Sequence, residues 1–310
     1  MTTILITGGT GMIGKALTHA LIEKNYKVII LSRQSTQRNT GIANLSYAAW
    51  DVDAQTIDKD AISKADYIVH LAGAGVADKR WTKKRKQEII HSRVRSSELL
   101  VKALQDIPNN IKAVISASAI GWYGADSVIP DPKPFREEDP HDTSFLGETC
   151  KLWENSIEPV KKSGKRLVKL RTGIVLGNEG GALKEFKKPL RWGVAAILGD
   201  GKQVISWIHI DDLVRLYIAA IEDDTLKGVY NAVAPKPVSN KELAMQLARI
   251  HKGNFFIPVY VPSFVLKIVV GELSVEVLKS ATVSCDKIHY TGFTFLHPTI
   301  EAALKNLEEK

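Results

Sequence analysis

What this sequence has little of narrows its reading first. Its 310 residues include two cysteines, Cys150 and Cys285. That is too few for a disulfide framework, and they lack the paired spacing of a metal site, so a reducing compartment is expected. No apolar run is long enough to span a membrane: the richest late stretch, 255–273, is broken by Pro258, Pro262, Lys267 and Glu272, so no membrane partner is expected. The first strand begins at residue 3, which leaves no room for a leader peptide; a cytoplasmic protein is the expectation. Internal repeats and low-complexity tracts are absent. A basic stripe is also missing. The net charge is +8, but the cations are scattered as Lys79-Arg80, 83–86, Arg93, Arg95, Lys161-Lys162 and Lys187-Lys188. Scattered pairs suit solvated helix faces or small anionic ligands, not nucleic acid.

What is present starts at once. Thr3-Ile4-Leu5-Ile6-Thr7 is a short apolar, β-branched run that reads as a strand. Gly8-Gly9-Thr10-Gly11-Met12-Ile13-Gly14 follows, then 15–25 with Leu17, Leu21 and Ile22 at helical spacing, then the buried run Val28-Ile29-Ile30-Leu31 ending in Ser32-Arg33. Strand, glycine turn, helix and strand make one βαβ unit, the setting in which a glycine pattern points to a dinucleotide. Gly8 serves the tight turn, Gly11 the approach of a pyrophosphate, and Gly14 the close packing of helix on strand. Unpaired N–H groups at the helix start, over Thr10, Met12 and Ile13, hold the anion.

The end of the second strand is the next informative absence. An acid there would bind the ribose 2′-hydroxyl of NAD, yet no carboxylate stands between Asn25 and Trp50. Arg33 is there instead, with Arg38 beyond it. A cation at this place accommodates a 2′-phosphate, so NADP is expected rather than NAD.

Further strands follow at 45–50, 67–71, 111–115 and 167–171. Leu71-Ala72-Gly73 ends one of them with small residues, where side chains would collide with a cofactor. His70, alone in an apolar strand, reads as packing. Arg80-Trp81 leads into a long basic helix over 83–105; its first turn, 83–86, is a solvated face, with a phosphate-facing role open for Arg80 or Arg85. Gly180-Gly181 and Gly199-Asp200-Gly201 bracket a segment expected to line a substrate cleft, with Arg171, Gln203, Ser206 and Trp207 as its candidate lining residues. Asp212 reads as the cap of a helix over 213–221. Ser239 and Glu242 have capping-box spacing.

The glycine spacing, Gly-x-x-Gly-x-x-Gly, resembles that of the short-chain dehydrogenase/reductase superfamily, in its extended, epimerase-type branch. Ser116-Ala117-Ser118-Ala119-Ile120-Gly121-Trp122-Tyr123-Gly124 resembles that branch's Ser-Ser-x-x-x-Tyr-Gly block. The resemblance implies that Ser118 polarises the reacting oxygen and that Asp51, at a strand end, faces the adenine; a turn residue is the other reading of Asp51. The branch's Tyr-x-x-x-Lys is met only in part: Lys151 matches the lysine that holds the ribose, but Gly147 stands where the tyrosine belongs. Phe145-Leu146, Cys150 and Trp153-Glu154 instead resemble an atypical subfamily, the epimerase family proteins of the SDR39U type. Arg80-Trp81, Ser92-Arg93-Val94, 206–212 and the tail Gly292-Phe293-Thr294-Phe295 with Pro298, Ala302 and Ala303-Leu304 match it too. Ile174 replaces the asparagine that contacts the diphosphate in sugar-nucleotide epimerases, so the resemblance to those enzymes does not carry their substrate over.

The expected fold is α/β: a Rossmann-like doubly wound parallel sheet over 1–250, with substrate-lobe segments after about 172, and a small C-terminal domain over 251–310. The expected function is an NADP(H)-dependent oxidoreductase or epimerase on a small carbonyl, alcohol or sugar-like substrate. In it Ser118, Tyr123 (the nearest tyrosine, one place out of register) and Lys151 are the catalytic set. The alternative is a non-catalytic NADP(H)-binding redox sensor or scaffold. A small-molecule partner is implied, and a homodimer stays open.

Arg33→Ala tests the cofactor assignment. Hydrogen bonds to charged groups contribute roughly 1.5–3 kcal/mol, so the variant is expected to bind NADPH roughly ten- to a hundredfold more weakly. NADH affinity is expected to stay put, because NADH has no 2′-phosphate. Calorimetric titration of both cofactors, with Arg33→Ala/Arg38→Ala alongside, decides it; a wild type that prefers NADH overturns the assignment.

Overall fold

The structure is a computed structural model and describes residues 1–33, 41–128 and 132–309; Arg38 lies outside them. In chain order the first half holds β1 (Thr3–Thr7), α1 (Met12–Glu23), β2 (Lys27–Ser32), β3 (Leu45–Asp51), β4 (Thr56–Ile57), α2 (Lys59–Lys64), β5 (Tyr67–His70), α3 (Lys83–Asp106), β6 (Ala113–Ala119), α4 (Phe145–Ile157) and β7 (Arg166–Thr172). The second half holds β8 (Ile174–Leu176), α5 (Gly181–Leu190), β9 (Val194–Leu198), β10 (Val204–Ile205), β11 (Trp207–His209), α6 (Ile210–Glu222), β12 (Gly228–Ala232), β13 (Val238–Ser239), α7 (Asn240–Lys252), β14 (Ile257–Val261), α8 (Ser263–Val270), α9 (Ser274–Leu278), α10 (Asp286–His289) and α11 (Ile300–Glu309).

The main sheet has the order β12-β7-β6-β5-β1-β2-β3-β4, and β4 alone runs antiparallel to its neighbour. Every residue of β1 is buried, as befits a central strand covered by helices on both faces. The order reverses between β1 and β5, and open α/β sheets bind ligands at the carboxyl ends of the strands beside such a reversal. The two faces carry separate apolar cores. Ile4, Ile6, Leu17 and Leu21 belong to one, and Leu5, Ile62, Leu99 and Leu100 to the other, which follows from the two-residue alternation along β1. The C-terminal segment has no core of its own: Ile288, Ile300, Ala303, Leu304 and Leu307 join the first of these cores.

The strands and helices expected from the sequence are all present, with three shifts. Helix α1 starts at Met12 inside the glycine turn, and β6 runs through Ala119. Helix α6 begins at Ile210, so Asp212 lies in its first turn; the cap is His209, whose Nδ1 accepts the Asp211 N–H at 3.1 Å. A strand-ending imidazole thus does the work expected of the aspartate, and Asp212 instead accepts the N–H groups of Leu296 and His297.

Strand β14 pairs in parallel with β9. Ile257 donates its N–H to Gly193, and Val261 accepts from Gly199, so the odd-numbered residues face β9 and the even ones face outward. Ile257, Val259 and Tyr260, with Phe264, Ile268 and Val269 of α8, are exposed.

Between β1 and β5 sits a buried polar knot. Thr7 Oγ1 accepts the N–H groups of Leu71 and Ala72 and donates to His70 Nδ1 at 2.7 Å. The hydroxyls of Ser96 and Ser97 donate to helix carbonyls, which leaves them to accept from His70 Nε2. The imidazole is neutral: burial, with Arg93 close by, pushes its pKa down to about 3. Below about pH 6.5, the unfolded imidazole takes up a proton that the folded one refuses. Stability from this group is therefore complete above that pH and is lost on acidification, at about 1.4 kcal/mol per pH unit. Urea unfolding at several pH values between about 5 and about 7 is expected to show this slope. His70→Asn is expected to lower overall stability yet flatten the slope by one proton; an unchanged slope overturns the account.

Candidate functional site

The end of β1 is built from close backbone approaches. Gly8 has a φ of +68°, and a Cβ on it would stand 2.8 Å from the carbonyl of Leu71. A Cβ on Gly14 would collide with the Gly8 carbonyl, and one on Gly9 would meet the Ile30 side chain at 2.8 Å. Gly11 differs: its nearest neighbour would be the Gly8 carbonyl at 3.4 Å, an ordinary contact. Gly8, Gly9 and Gly14 are thus required by the fold, and Gly11 is not. No side chain caps α1, and its first turn carries no acid, so its N–H groups face the crevice available to an anion. This open cradle fits a pyrophosphate.

The flanking residues take distinct places. Thr10 is exposed on the turn, and Ile13 packs on the core. Met12 reaches across to the turn after β8, where its Sδ lies 3.3 Å from the Cβ position of Gly177. Arg33 is exposed at the end of β2. Asp51 Oδ1 accepts the N–H groups of Asp53 and Ala54, so at least one of its oxygens serves a turn.

The segment after β5 is held from below by α3. Ala74 donates its N–H to Ser92 Oγ and accepts from Arg93, and Gly75 accepts from Arg85 Nη2 at 2.5 Å. The Arg93 guanidinium lies 3.1 Å from the Cβ position of Gly73 and over the Trp153 ring. Burial pulls its pKa below the usual arginine range. Arg85, expected on a solvated turn, is buried. Arg80 packs against Gly271, 3.1 Å from its Cβ position, and so meets the C-terminal helices.

The catalytic set expected from the sequence, Ser118, Tyr123 and Lys151, does not converge. Lys151 is half-exposed on α4, 3.7 Å from Glu148 Oε2. Ser118 is buried and donates to Glu154 Oε1 at 2.7 Å. The side chains alternate along β6, so Ala117 and Ala119 lie on the more open side. Tyr123 is wholly buried; its hydroxyl donates to Asn231 Oδ1 at 2.7 Å and accepts from Arg171 Nη1 at 3.0 Å. Burial pushes its pKa up to about 12, against the pull of Arg171 and Asn231. Arg171 also grips Glu154 with two nitrogens, at 2.8 and 3.2 Å, and lies 3.7 Å above the Trp122 ring. Gln203 donates to the Leu198 carbonyl, and Trp207 to that of Lys236; both are buried.

At Gly147 the space for a side chain is filled. A Cβ there would run into the backbone carbonyl of Asp142. The segment before α4 has closed over the place of the missing tyrosine. Beside it in the chain, His141 Nε2 is 3.6 Å from Glu148 Oε1. Sequence reasoning missed His141, Glu154, Asn231 and Arg93 as site-shaping residues. The signal for Glu154 was its place three residues after Lys151 on one helix face; Asn231 has none, since only the sheet order brings β12 near Tyr123.

A largely parallel sheet with an uncapped glycine turn at its order reversal defines a dinucleotide-binding protein of the Rossmann-like class. The comparisons agree with the geometry: the chain belongs to the NAD dependent epimerase/dehydratase family, which it matches over residues 4–232, and residues 261–307 match a domain of unknown function, DUF1731. It is 35% identical over 304 residues to the epimerase family protein SSP1921 of Staphylococcus saprophyticus, covering 98% of each chain. It is 33% identical to YfhF of Bacillus subtilis, over 98% of this chain and 97% of that one. Among solved structures, the human epimerase family protein SDR39U1 (isoform 2) with NADPH superposes over 100% of both chains, at 29% identity and a TM-score of 0.87. UDP-glucuronic acid 4-epimerase of Bacillus cereus shares the fold, at 20% identity and a TM-score of 0.79. No helix among the described residues is long and apolar enough to cross a membrane.

The contrast among the glycines gives a direct test. Gly11→Val is expected to fold, with an unchanged melting temperature in the absence of cofactor, yet to lose the melting-temperature rise that NADPH causes. Gly14→Val is expected to fail to fold. A Gly11→Val protein that keeps the full NADPH-induced rise overturns the phosphate-turn reading.

Proposed function

We propose that this protein is an NADP(H)-dependent oxidoreductase or epimerase acting on a small carbonyl or alcohol. The observation that carries the cofactor choice is Arg33 at the end of β2, with no carboxylate on that strand end to favour an unphosphorylated ribose. The NADPH of the human relative supports it. Bound in the cradle, the nicotinamide nucleotide supplies hydride transfer. Gly8, Thr10, Gly11, Met12, Ile13 and Gly14 receive the pyrophosphate, Leu71, Ala72 and Gly73 give it a flat wall, and Asp51 flanks the adenine. Lys151 orients the ribose.

Proton exchange is the step for which the usual tyrosine is missing. Tyr123 has its burial and its two hydrogen bonds against it, and Ser118 is tied to Glu154. We assign the proton to Glu148, next to the filled position of Gly147 in the chain, with His141 on one side of its carboxylate and Lys151 on the other. Arg171, Gln203, Trp207 and Arg80 then shape the substrate side from behind, by holding its walls. The second reading, a non-catalytic NADP(H) sensor, is favoured by one observation: the serine and tyrosine are both locked into the Glu154–Arg171–Asn231 network.

NADPH absorbance followed against a panel of small carbonyl compounds separates the two. Under the catalytic reading the wild type turns over. Glu148→Gln is expected to lose roughly a hundredfold or more in rate, while Tyr123→Phe keeps most of it. Turnover that Tyr123→Phe abolishes and Glu148→Gln spares returns the proton to Tyr123. Tight NADPH binding with no turnover across the panel favours the sensor.

A further inference from the structure

Away from the nucleotide cradle, three metal-ligating side chains meet where the C-terminal segment crosses the start of α6. His209 ends β11 and is fully buried, Asp211 lies in the first turn of α6, and His297 comes from the segment before α11. The two imidazole rings are 3.9 Å apart between centroids, tilted by 42°. Asp211 Oδ2 stands 3.7 Å from His209 Nδ1 and 3.9 Å from His297 Nε2. One donor atom from each residue lies within 4.8 Å of the other two.

The backbone that brings His297 here is clamped. Asp212, fully buried, accepts the N–H groups of Leu296 at 2.7 Å and His297 at 2.9 Å. Arg215 bonds both Asp212 and the Thr294 carbonyl. On the other side, His209 is fixed by the parallel pairing of β11 with β8. Both histidines are therefore held by rigid neighbours, and the carboxylate between them sits on a partly exposed residue.

We propose that His209, Asp211 and His297 bind a divalent first-row transition ion, with Zn2+ as the ion the donor set suits. Two imidazole nitrogens with one carboxylate are a zinc-type set, whereas Mg2+ and Ca2+ call for oxygens throughout. Bonds of about 2.0–2.1 Å in a tetrahedral site put donors roughly 3.3–3.5 Å apart. The two carboxylate separations need to close by a few tenths of an ångström, which rotation of Asp211 achieves; the donor set spans up to 4.8 Å, so the His297 imidazole must also swing toward His209 about its side-chain torsions as the ion binds. His209 Nδ1 accepts a backbone N–H, so it carries a lone pair, the form that ligates; the ion takes over that lone pair from the helix cap. The positive start of α6 opposes a cation, and the Asp211 charge offsets it. The ion fastens the 294–297 segment to α6, joining the C-terminal domain to the nucleotide-binding one.

The test uses the tag-free full chain, stripped with chelator, then titrated with zinc sulfate by calorimetry and with cobalt chloride by visible absorbance. One ion per chain is expected, with ligand-field bands from the cobalt form. His297→Ala and Asp211→Asn are each expected to weaken binding by about tenfold or more and to lose the zinc-dependent rise in melting temperature. Their chelator-treated melting temperatures report that they fold. His91→Ala, an exposed histidine on α3, is expected to change nothing. No saturable binding below roughly 1 mM zinc, or binding that both site variants retain in full, overturns the proposal.

Discussion

Everything at the nucleotide face depends on how closely three backbone segments approach one another at the end of β1. Gly8 lies against the Leu71 carbonyl, Gly14 against the Gly8 carbonyl, and Thr7 ties the turn after β5 to its own strand. Side chains are excluded from this corner, so α1 can start directly above the sheet edge with its N–H groups uncovered. The order reversal between β1 and β5 opens the crevice at the same place. Arg85 and Arg93 of α3 serve this corner from below, since they hold the carbonyls of Gly75 and Ala74 and so fix the wall opposite the glycine turn.

The interior next to that corner is unusually charged. Glu154 and Arg171 are both buried, and Lys169 approaches the same carboxylate at 3.4 Å. Breaking such a pair by removing one partner costs about 3–5 kcal/mol, because it strands a charge in the interior. Ser118 and Tyr123 are satellites of this pair. Two of the residues that a motif would assign to chemistry are here bonded into the framework, while Lys151 stays half-exposed on α4 beside Glu148.

The βαβ unit was legible because its signals are local: a β-branched run, glycines at fixed offsets and a helical apolar stripe lie within about thirty residues. The main strands and long helices followed from the same periodicities. The roles of Ser118 and Tyr123 were not legible in that way. Whether a strand residue faces a cleft or the core depends on where the strand ends, and β6 runs further than its apolar part suggested. A hydroxyl two positions along the same strand would point the same way, so motif spacing alone did not separate exposure from burial. The partner of Tyr123 comes from β12, more than a hundred residues away, and is set by sheet order alone. The cap of α6 was misplaced for a local reason: histidine is an uncommon cap, and the two aspartates beside it are common ones.

The outer edge of β14 is blunted at one position. That edge offers backbone next to exposed apolar side chains, the combination that templates uncontrolled strand addition. Two residues of the strand turn their backbone outward, Pro258 and Tyr260, since the odd-numbered ones turn toward β9, and the first of the two has no N–H to give. An incoming strand would find a carbonyl and a pyrrolidine ring where it needs a regular ladder. The proline that interrupts the apolar run in the sequence thus removes, in the folded chain, one of the two donors that this edge would offer to an added strand.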